Sequence, residues 1–164
     1  VLTAIEILRK HGFEISETAA RDGLASAVWQ ARFEKIADDP VVLYDGGHNP
    51  QGVRAAVESV RAYFGDKKIN LLVGILADKA HGEMVNTLAE IADNVTCIEP
   101  PSPRALPSEE LAEEFRRAGI RATAADSIEK GVKQALSERK PLLAIGSLYS
   151  YNDISKNVRD ALKG

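Results

Sequence analysis

The sequence predicts an α/β fold, with a mainly parallel sheet that carries helices on both faces. Five short apolar runs contain almost no polar position, as expected of strands that are buried on both sides. These runs alternate with amphipathic helical patterns, which is the order produced by a parallel sheet with crossover helices. The 164 residues, 45% hydrophobic and 27% charged, provide enough chain for one core of this kind.

Two short helical patterns precede this alternation. Residues 4–10 have apolar side chains at helical spacing and stop at Gly12, which accepts a positive φ. Ser16 suits the N-cap of a second helix that runs to about Ala27. The next segments are expected to be, in order, a hinge near residues 28–33, a possible edge strand at 33–37 and a turn at 38–40.

The regular alternation begins at residue 41. Strands are expected at 41–44, 69–76, 95–98, 120–124 and 142–145. The helices that follow them are expected to end at Phe64, Ala92, Gly119, Glu138 and Leu162, with caps at Ser108 and at the Asp126–Glu129 pair. Right-handed crossovers place the loops 45–50, 77–82, 99–107 and 146–152 at one edge of the sheet, where ligands of such folds bind.

Charge, hydropathy and cysteine content exclude several classes of protein. The 21 basic and 24 acidic residues give a net charge of −3 without a block of like charges, which argues against a nucleic-acid partner. The longest apolar runs are far shorter than a bilayer span, so we expect no membrane association. Cys97 is the single cysteine, and within an apolar strand we expect it to be a buried small side chain. The composition predicts a cytoplasmic protein.

The loop Asp45-Gly46-Gly47-His48-Asn49-Pro50 is the densest functional signal in the sequence. Its glycines allow a sharp turn and a close approach to a ligand, and Asn49 and Pro50 suit the first positions of a helix. Asp45 and His48 would then lie beside the positive end of that helix, at the ligand edge. The alternative is that the acid and the asparagine only shape the turn. The loop lacks the patterns of a P-loop and of a dinucleotide fingerprint.

Other candidate residues each have two interpretations. Ser147 after Gly146 could present a hydroxyl to a carboxylate, or it could cap the final helix and form a tight turn. Arg32 could bind phosphate, or it could be an edge-strand cation whose stem packs on Trp29. The loop at 78–81 is more typical of a solvated segment with capping roles. No metal site is expected, because the three histidines, His11, His48 and His81, are far apart in sequence.

Five segments together resemble the folylpolyglutamate synthase and dihydrofolate synthase family of the Mur ligase superfamily. Residues 43–50 (LYDGGHNP) are similar to the D-G-A-H-N-P motif of this family, and residues 29–34 (WQARFE) to W-P-G-R-x-E. The segments Gly74–Lys79, Ser102–Ala105 and Gly146–Tyr149 resemble G-x-L-x-D-K, P-R-A and G-S-L-Y. Gln30 and Ala31 replace the usual Pro-Gly, Gly47 replaces alanine, and nothing is carried over after Tyr149.

This resemblance implies the Rossmann-like C-terminal domain of an ATP-dependent acid–amino-acid ligase. In the family, ATP phosphorylates the folate or dihydropteroate carboxylate, and the amine of L-glutamate displaces the phosphate. Carried over by position, Arg32 would contact the ATP phosphates and Asp45 the nucleotide, while His48 and Ser147 would hold the glutamate. No catalytic residue and no metal ligand is carried over, since the P-loop and most Mg²⁺ ligands belong to an N-terminal domain.

The resemblance also divides the chain. The first residue is Val1 and the one methionine is Met84, so we expect a piece of a longer protein. Residues 1–27 would be the tail of the preceding N-terminal ATPase domain with its hinge, and residues 28–164 the C-terminal ligase domain. We expect this chain alone to be inactive. The alternatives are a non-catalytic α/β domain that binds a nucleotide or another ligand, and a different Mur-type amino-acid ligase.

Overall fold

The computed structural model describes residues 1–27 and 29–163, and it contains two compact units, residues 1–30 and the chain from Ala31 onward. This division lies three residues beyond the expected boundary between residues 27 and 28. Val28, at which the ligase domain was expected to begin, lies outside the described residues, as does the C-terminal Gly164. None of the helices in the described ranges is long and apolar enough to cross a bilayer.

The first unit contains the two predicted helices. Helix α1 (Leu2–Lys10) is followed by Gly12 with a φ of +86°, as the sequence predicts. Helix α2 (Glu17–Ala25) begins after Ser16, whose hydroxyl accepts a hydrogen bond from the amide of Ala19 at 3.0 Å. The end of α1 and the start of α2 therefore follow from local sequence, whereas α1 begins without a side-chain cap and α2 ends two residues before the expected Ala27.

A six-stranded sheet forms the centre of the second unit. Its strands are β1 (Glu34–Asp38), β2 (Val41–Asp45), β3 (Ile69–Val73), β4 (Ala92–Cys97), β5 (Arg121–Ala124) and β6 (Leu142–Ile145). The strand order is β1-β2-β6-β3-β4-β5. β1 is an edge strand and runs antiparallel to β2, whereas the other neighbours pair in parallel. The predicted fold class and the predicted edge strand are confirmed.

Five helices cover the two faces of this sheet. They are α3 (Pro50–Phe64), α4 (His81–Ala89), α5 (Ser108–Arg117), α6 (Ile128–Leu136) and α7 (Tyr151–Leu162). Leu143 and its neighbours on one sheet face pack with α3, α4 and α5, and Leu142 and Ala144 on the other face pack with α6 and α7. Every side chain of β6 is buried, which explains why this strand lacks polar positions.

Three element boundaries lie three residues from the sequence-based expectation, and the other differences are of one or two residues. β3 ends at Val73 rather than at residue 76: the amide of Gly74 still donates to Ile145 of β6, and the chain then leaves the sheet. α4 ends at Ala89 and β4 begins at Ala92, where the sequence had placed the end of the helix. In this strand Ala92 pairs with Ile69, so tertiary pairing overrides the helical pattern at this point.

Two predicted helix caps are also wrong. Ser108 is the first residue of α5 and not its cap, and its hydroxyl donates to the carbonyl of Ala125 at 3.5 Å. α6 is capped by Ser127, whose hydroxyl accepts from the amide of Lys130 at 3.2 Å. Asp126 instead forms an ion pair with the Lys130 ammonium group at 2.7 Å. Both errors are one residue in size: α5 begins after Pro107, which has no capping side chain, and at α6 the neighbouring Ser127 is as suitable a cap as Asp126.

Candidate functional site

The carboxyl ends of three neighbouring strands define the predicted ligand edge. Asp45 of β2 and Val73 of β3 are both in register with Ile145 of the strand between them, β6. The loop at 45–50 and the loop that begins at Gly146 therefore leave the sheet side by side. This placement agrees with the rule that parallel sheets bind ligands beyond their carboxyl ends.

The Asp45 carboxylate organises the first of these loops. Oδ1 accepts a hydrogen bond from the amide of Gly47 at 2.7 Å, and Oδ2 accepts one from the amide of Phe33 at 2.8 Å. The side chain thus joins its own loop to the segment that precedes β1. Each oxygen retains acceptor capacity, because a carboxylate oxygen can accept two hydrogen bonds. Asp45 therefore has the turn-forming role that the alternative required, and it keeps the capacity to bind hydroxyl groups.

His48 is oriented by its own loop. Its Nδ1 lies 2.9 Å from the carbonyl oxygen of Gly46, so Nδ1 carries the proton and donates. Nε2 is then the ring atom available to a ligand. Asn49 caps α3 by accepting from the amide of Gly52 at 2.8 Å, and Pro50 is the first helical residue, as predicted. The imidazole consequently stands next to the N-terminus of a 15-residue helix, where an anion is favoured.

Arg32 lies between two residues in left-handed backbone conformations. The φ angles of Ala31 and Phe33 are +56° and +43°, which non-glycine residues adopt at a cost. Three contacts hold this geometry: Glu34 accepts from the Ala31 amide, Asp45 accepts from the Phe33 amide, and the Ala31 carbonyl accepts from the Gly46 amide. Position 31 is also where the resemblance leads one to expect glycine, the residue that suits this backbone conformation.

The guanidinium of Arg32 extends across Gly46. Its Nη1 donates to the carbonyl of Ala31 at 3.0 Å, and a Cβ atom added to Gly46 would lie 2.7 Å from that nitrogen. The same hypothetical Cβ would contact the Leu148 side chain. Glycine at position 46 therefore leaves room for the arginine to lie directly beside the loop. Since Arg32 is exposed, its remaining donors are accessible to a phosphate group.

Ser147 lies on the adjacent loop and is 3% exposed. Its hydroxyl accepts from the amide of Tyr149 at 3.2 Å, which leaves the hydroxyl proton for another partner. α7 begins only at Tyr151, so Ser147 does not cap this helix, whereas its bond to the Tyr149 amide is the tight turn of the same interpretation. The preceding residue, Gly146, has a φ of +116°, and a Cβ there would lie 2.5 Å from the carbonyl oxygen of Gly74. The loops after β6 and β3 are therefore closely packed at Gly146, the residue before Ser147.

The structure places the four predicted site residues on three neighbouring segments. Arg32 and Asp45 are linked through the backbone around Phe33, His48 is on the Asp45 loop, and Ser147 follows the central strand. Sequence reasoning missed the supporting residues Glu34, Tyr44 and Tyr151. Of these, only Glu34 had a signal, as the last residue of the segment 29–34.

The remaining candidates have structural surroundings. Burial raises the pKa of the Cys97 thiol to about 12, in agreement with a buried small side chain. The loop at 78–81 is held by an ion pair of 3.0 Å between Asp78 and Arg104, and its predicted capping role is wrong, because Ala80 precedes α4 without a side-chain bond. Among residues 1–27 and 29–163, no cluster of three or more histidine, cysteine or acidic side chains could hold a metal ion.

Comparisons with known sequences give a family and several relatives. Residues 31–147 match the model of the family described as Mur ligase, glutamate ligase domain. The folylpolyglutamate synthase of Lacticaseibacillus casei is 34% identical over 147 residues, which cover 88% of this chain and 32% of that protein. The dihydrofolate synthase/folylpolyglutamate synthase of Bacillus subtilis is 30% identical over 161 residues, covering 96% and 37% respectively. The chain thus spans about a third of the length of these relatives.

Solved structures agree with the fold. FolC of Escherichia coli in complex with DHPP and ADP superimposes with a TM-score of 0.85 at 28% identity, over 99% of this chain and 39% of that one. The bifunctional folylpolyglutamate synthase/dihydrofolate synthase of Yersinia pestis, complexed with AMPPNP and Mn ion, gives a TM-score of 0.80 at 26% identity, over 99% and 38%. The family resemblance found in the sequence is confirmed.

Proposed function

Because the chain belongs to the Mur ligase, glutamate ligase domain family, we propose that it is the C-terminal part of an ATP-dependent amide ligase. Its substrates are L-glutamate and a folate or a dihydropteroate, as the names of the relatives suggest. The observation that carries the proposal is the meeting of Arg32, Asp45, His48 and Ser147 at the carboxyl edge of one sheet. The enzyme acts in the cytoplasm.

The nucleotide contacts Arg32 and Asp45. Arg32 is exposed beside Gly46 and offers its outer guanidinium nitrogens to the phosphates, which suits a planar, permanently charged donor. The Asp45 carboxylate is held rigid by two backbone amides, and its free lone pairs accept the ribose hydroxyls. The Asp45 carboxylate is hydrogen bonded to the segment that carries Arg32, so the two nucleotide contacts are held in a fixed relative position.

The glutamate contacts His48 and Ser147. Nε2 of His48 and the hydroxyl proton of Ser147 are the polar groups that the local hydrogen bonds leave unused. The N-terminus of α3 beside His48 favours a carboxylate, and the Ser147 hydroxyl donates a neutral hydrogen bond to it. The two loops leave adjacent strands, so a single small amino acid can reach both.

The reaction forms an amide through an acyl phosphate. A carboxylate oxygen of the folate or dihydropteroate attacks the γ-phosphorus of ATP and releases ADP. The glutamate nitrogen then attacks the acyl carbon, loses a proton and expels inorganic phosphate. In this scheme the residues of this chain hold the two reactants in place, which lowers the entropic part of the barrier.

Mg²⁺ accompanies the nucleotide in this proposal. Among the proposed site residues Asp45 is the one carboxylate, and both its oxygens already accept backbone amides. Mg²⁺ requires near-octahedral oxygen ligation, which these four residues do not provide. Magnesium ligation therefore belongs mostly to the N-terminal P-loop domain of the parent protein. In this proposal residues 1–27 are the tail of that domain with its hinge, and residues 28–164 are the ligase domain.

The proposed division of functions between the P-loop domain and this chain predicts that the chain alone folds but does not turn over ATP. Purified chain should unfold cooperatively on heating, and it should release no phosphate in the presence of ATP, glutamate and a folate. Folate-dependent phosphate release by the chain would refute this division. The alternative function, a stand-alone binding domain, predicts a parent gene without an upstream Gly-Lys-Ser/Thr loop.

The site assignment is tested in the full-length ligase with one variant for each ligand. Arg32→Ala should raise the KM for ATP, and His48→Asn should raise the KM for glutamate, each about ten- to a hundredfold, the range expected for a lost charged hydrogen bond. Asparagine retains a donor near the Nδ1 position, so the bond to the Gly46 carbonyl can persist. Arg54→Ala is the matched control, because Arg54 of α3 forms an exposed ion pair with Glu83 of α4. Unchanged kinetics in both site variants would defeat the assignment.

A further inference from the structure

Two packed tyrosine rings lie next to the proposed site. Tyr44 of β2 is 1% exposed, and Tyr151 is the first residue of α7. Their ring centroids are 5.1 Å apart with an interplanar angle of 86°, an edge-to-face contact. Each ring directs its hydroxyl to a different segment of the site: Tyr44 to the loop of Ser147, and Tyr151 to Glu34 of β1.

The Tyr44 hydroxyl holds the loop that carries Ser147. It donates to the carbonyl oxygen of Ser147 at 2.6 Å, a contact between residues 103 positions apart. Burial and the nearby negative charge of Asp45 raise the pKa of this hydroxyl above its ordinary value, so it remains a donor at all physiological pH values. The orientation of the Ser147 peptide group, and with it the position of the serine hydroxyl, depends on this bond.

The Tyr151 hydroxyl acts on the other segment through Glu34. It donates to Oε1 of Glu34 at 2.9 Å, while Oε2 of the same carboxylate accepts from the Ala31 amide at 2.8 Å. Ala31 is in the left-handed conformation that precedes Arg32. Tyr151 therefore orients the Glu34 carboxylate. This carboxylate in turn holds the backbone next to Arg32, the residue proposed to bind phosphate.

We propose that Tyr44 is a positioning residue for the glutamate subsite, and that Tyr151, acting through Glu34, is a positioning residue for the nucleotide subsite. The inference rests on the proposed function, because it assigns Ser147 to glutamate and Arg32 to ATP. Both hydroxyl groups bond to protein groups, so we assign neither tyrosine a contact with substrate. The edge-to-face contact of the two rings makes the two subsites parts of one rigid arrangement.

The test uses Tyr44→Phe and Tyr151→Phe in the full-length ligase, since phenylalanine keeps each ring and removes only the hydroxyl. Tyr44→Phe should raise the KM for glutamate about tenfold and leave the KM for ATP within about twofold, the effect of one lost hydrogen bond. Tyr151→Phe should show the opposite pattern. Tyr63→Phe, on the 54% exposed tyrosine of α3, is the matched control and should change neither value.

Melting temperatures separate positioning from a merely structural role. A lower melting temperature with both KM values unchanged would overturn the inference, and so would an equal rise of both KM values in each variant. Ser147→Ala and Arg32→Ala, measured in parallel, test the proposed function itself. If Ser147→Ala raises the KM for glutamate and Tyr44→Phe does not, only the tyrosine inference fails. If Ser147→Ala and Arg32→Ala move neither KM, the proposed function fails.

Discussion

Replacing Gly146 by alanine should destabilise the protein more than any neighbouring glycine substitution. This residue follows the central strand β6 and has a φ of +116°, which L-residues rarely adopt. An added Cβ would lie 2.5 Å from the carbonyl oxygen of Gly74. That backbone cannot move away easily, because the Gly74 amide is hydrogen bonded to Ile145. Both the conformation and the space at this position therefore oppose a side chain.

The size of the effect follows from these two penalties. A non-glycine residue in such a backbone conformation costs about 1–3 kcal/mol. Inserting a methyl group against fixed backbone costs roughly 1–3 kcal/mol more. Together they remove about 2–6 kcal/mol from a free energy of unfolding that is about 5–15 kcal/mol for proteins of ordinary stability. For a chain of this size the melting temperature should fall by roughly 5–20 °C.

Two other glycines provide controls that separate the two penalties. Gly119 has a φ of +81° and no atom within 4 Å of an added Cβ, so Gly119→Ala should cost only about 1 kcal/mol. Gly82 lies in α4 with open space around it, and Gly82→Ala should stabilise the protein by about 0.5–1 kcal/mol. Denaturant and thermal unfolding of the three variants would give the order. A Gly146→Ala protein as stable as Gly119→Ala would refute the packing argument.

Three further measurements test other parts of the structure. Burial raises the pKa of the Cys97 thiol in the folded protein from 9.0 to about 12. Between these pH values only the unfolded chain loses this proton, so the free energy of unfolding should fall by up to about 1.4 kcal/mol per pH unit above pH 9. In Cys97→Val the melting temperature should decline less between pH 9 and 10.5, and an identical slope would contradict the assignment. Ser127→Ala should cost about 1 kcal/mol and Asp126→Ala less than half of that, as chemical denaturation can establish, since only the serine caps α6. Arg139 has a φ of +49° on the surface, so Arg139→Gly should raise stability by up to about 1 kcal/mol, and a loss of stability would argue against strain there.

Local sequence was sufficient for the fold class because the strands are buried on both faces. A run such as Leu142–Ile145 has no polar position and is too short for a helix, which leaves a buried strand as its interpretation. The ends of elements were less predictable. Residues 74–76 are as apolar as the strand before them, yet they leave the sheet at Gly74 because the loop after β6 passes close by. Such an end depends on a partner that is distant in sequence.

The same limit applies to the candidate site. Asp45 and His48 were recognisable because they lie together with glycines in one loop after an apolar strand. Tyr44 and Tyr151 were not, because a tyrosine in a buried strand or at a helix start has the pattern of an ordinary core residue. Their hydroxyl partners lie 103 and 117 residues away along the chain. Only the folded structure brings these groups together.

The position of β6 determines when the site can form during synthesis. This strand is the last of the six to leave the ribosome, yet it occupies the gap between β2 and β3. Before residues 142–145 emerge, the chain can form the β1–β2 hairpin and the β3-β4-β5 layer, but these two pieces have no ladder between them. Insertion of the final strand joins them and brings the loop of Ser147 beside that of Asp45 in the same step. A nascent chain therefore acquires its proposed ligand edge only as its sheet closes, and a chain that ends before residue 142 loses both together.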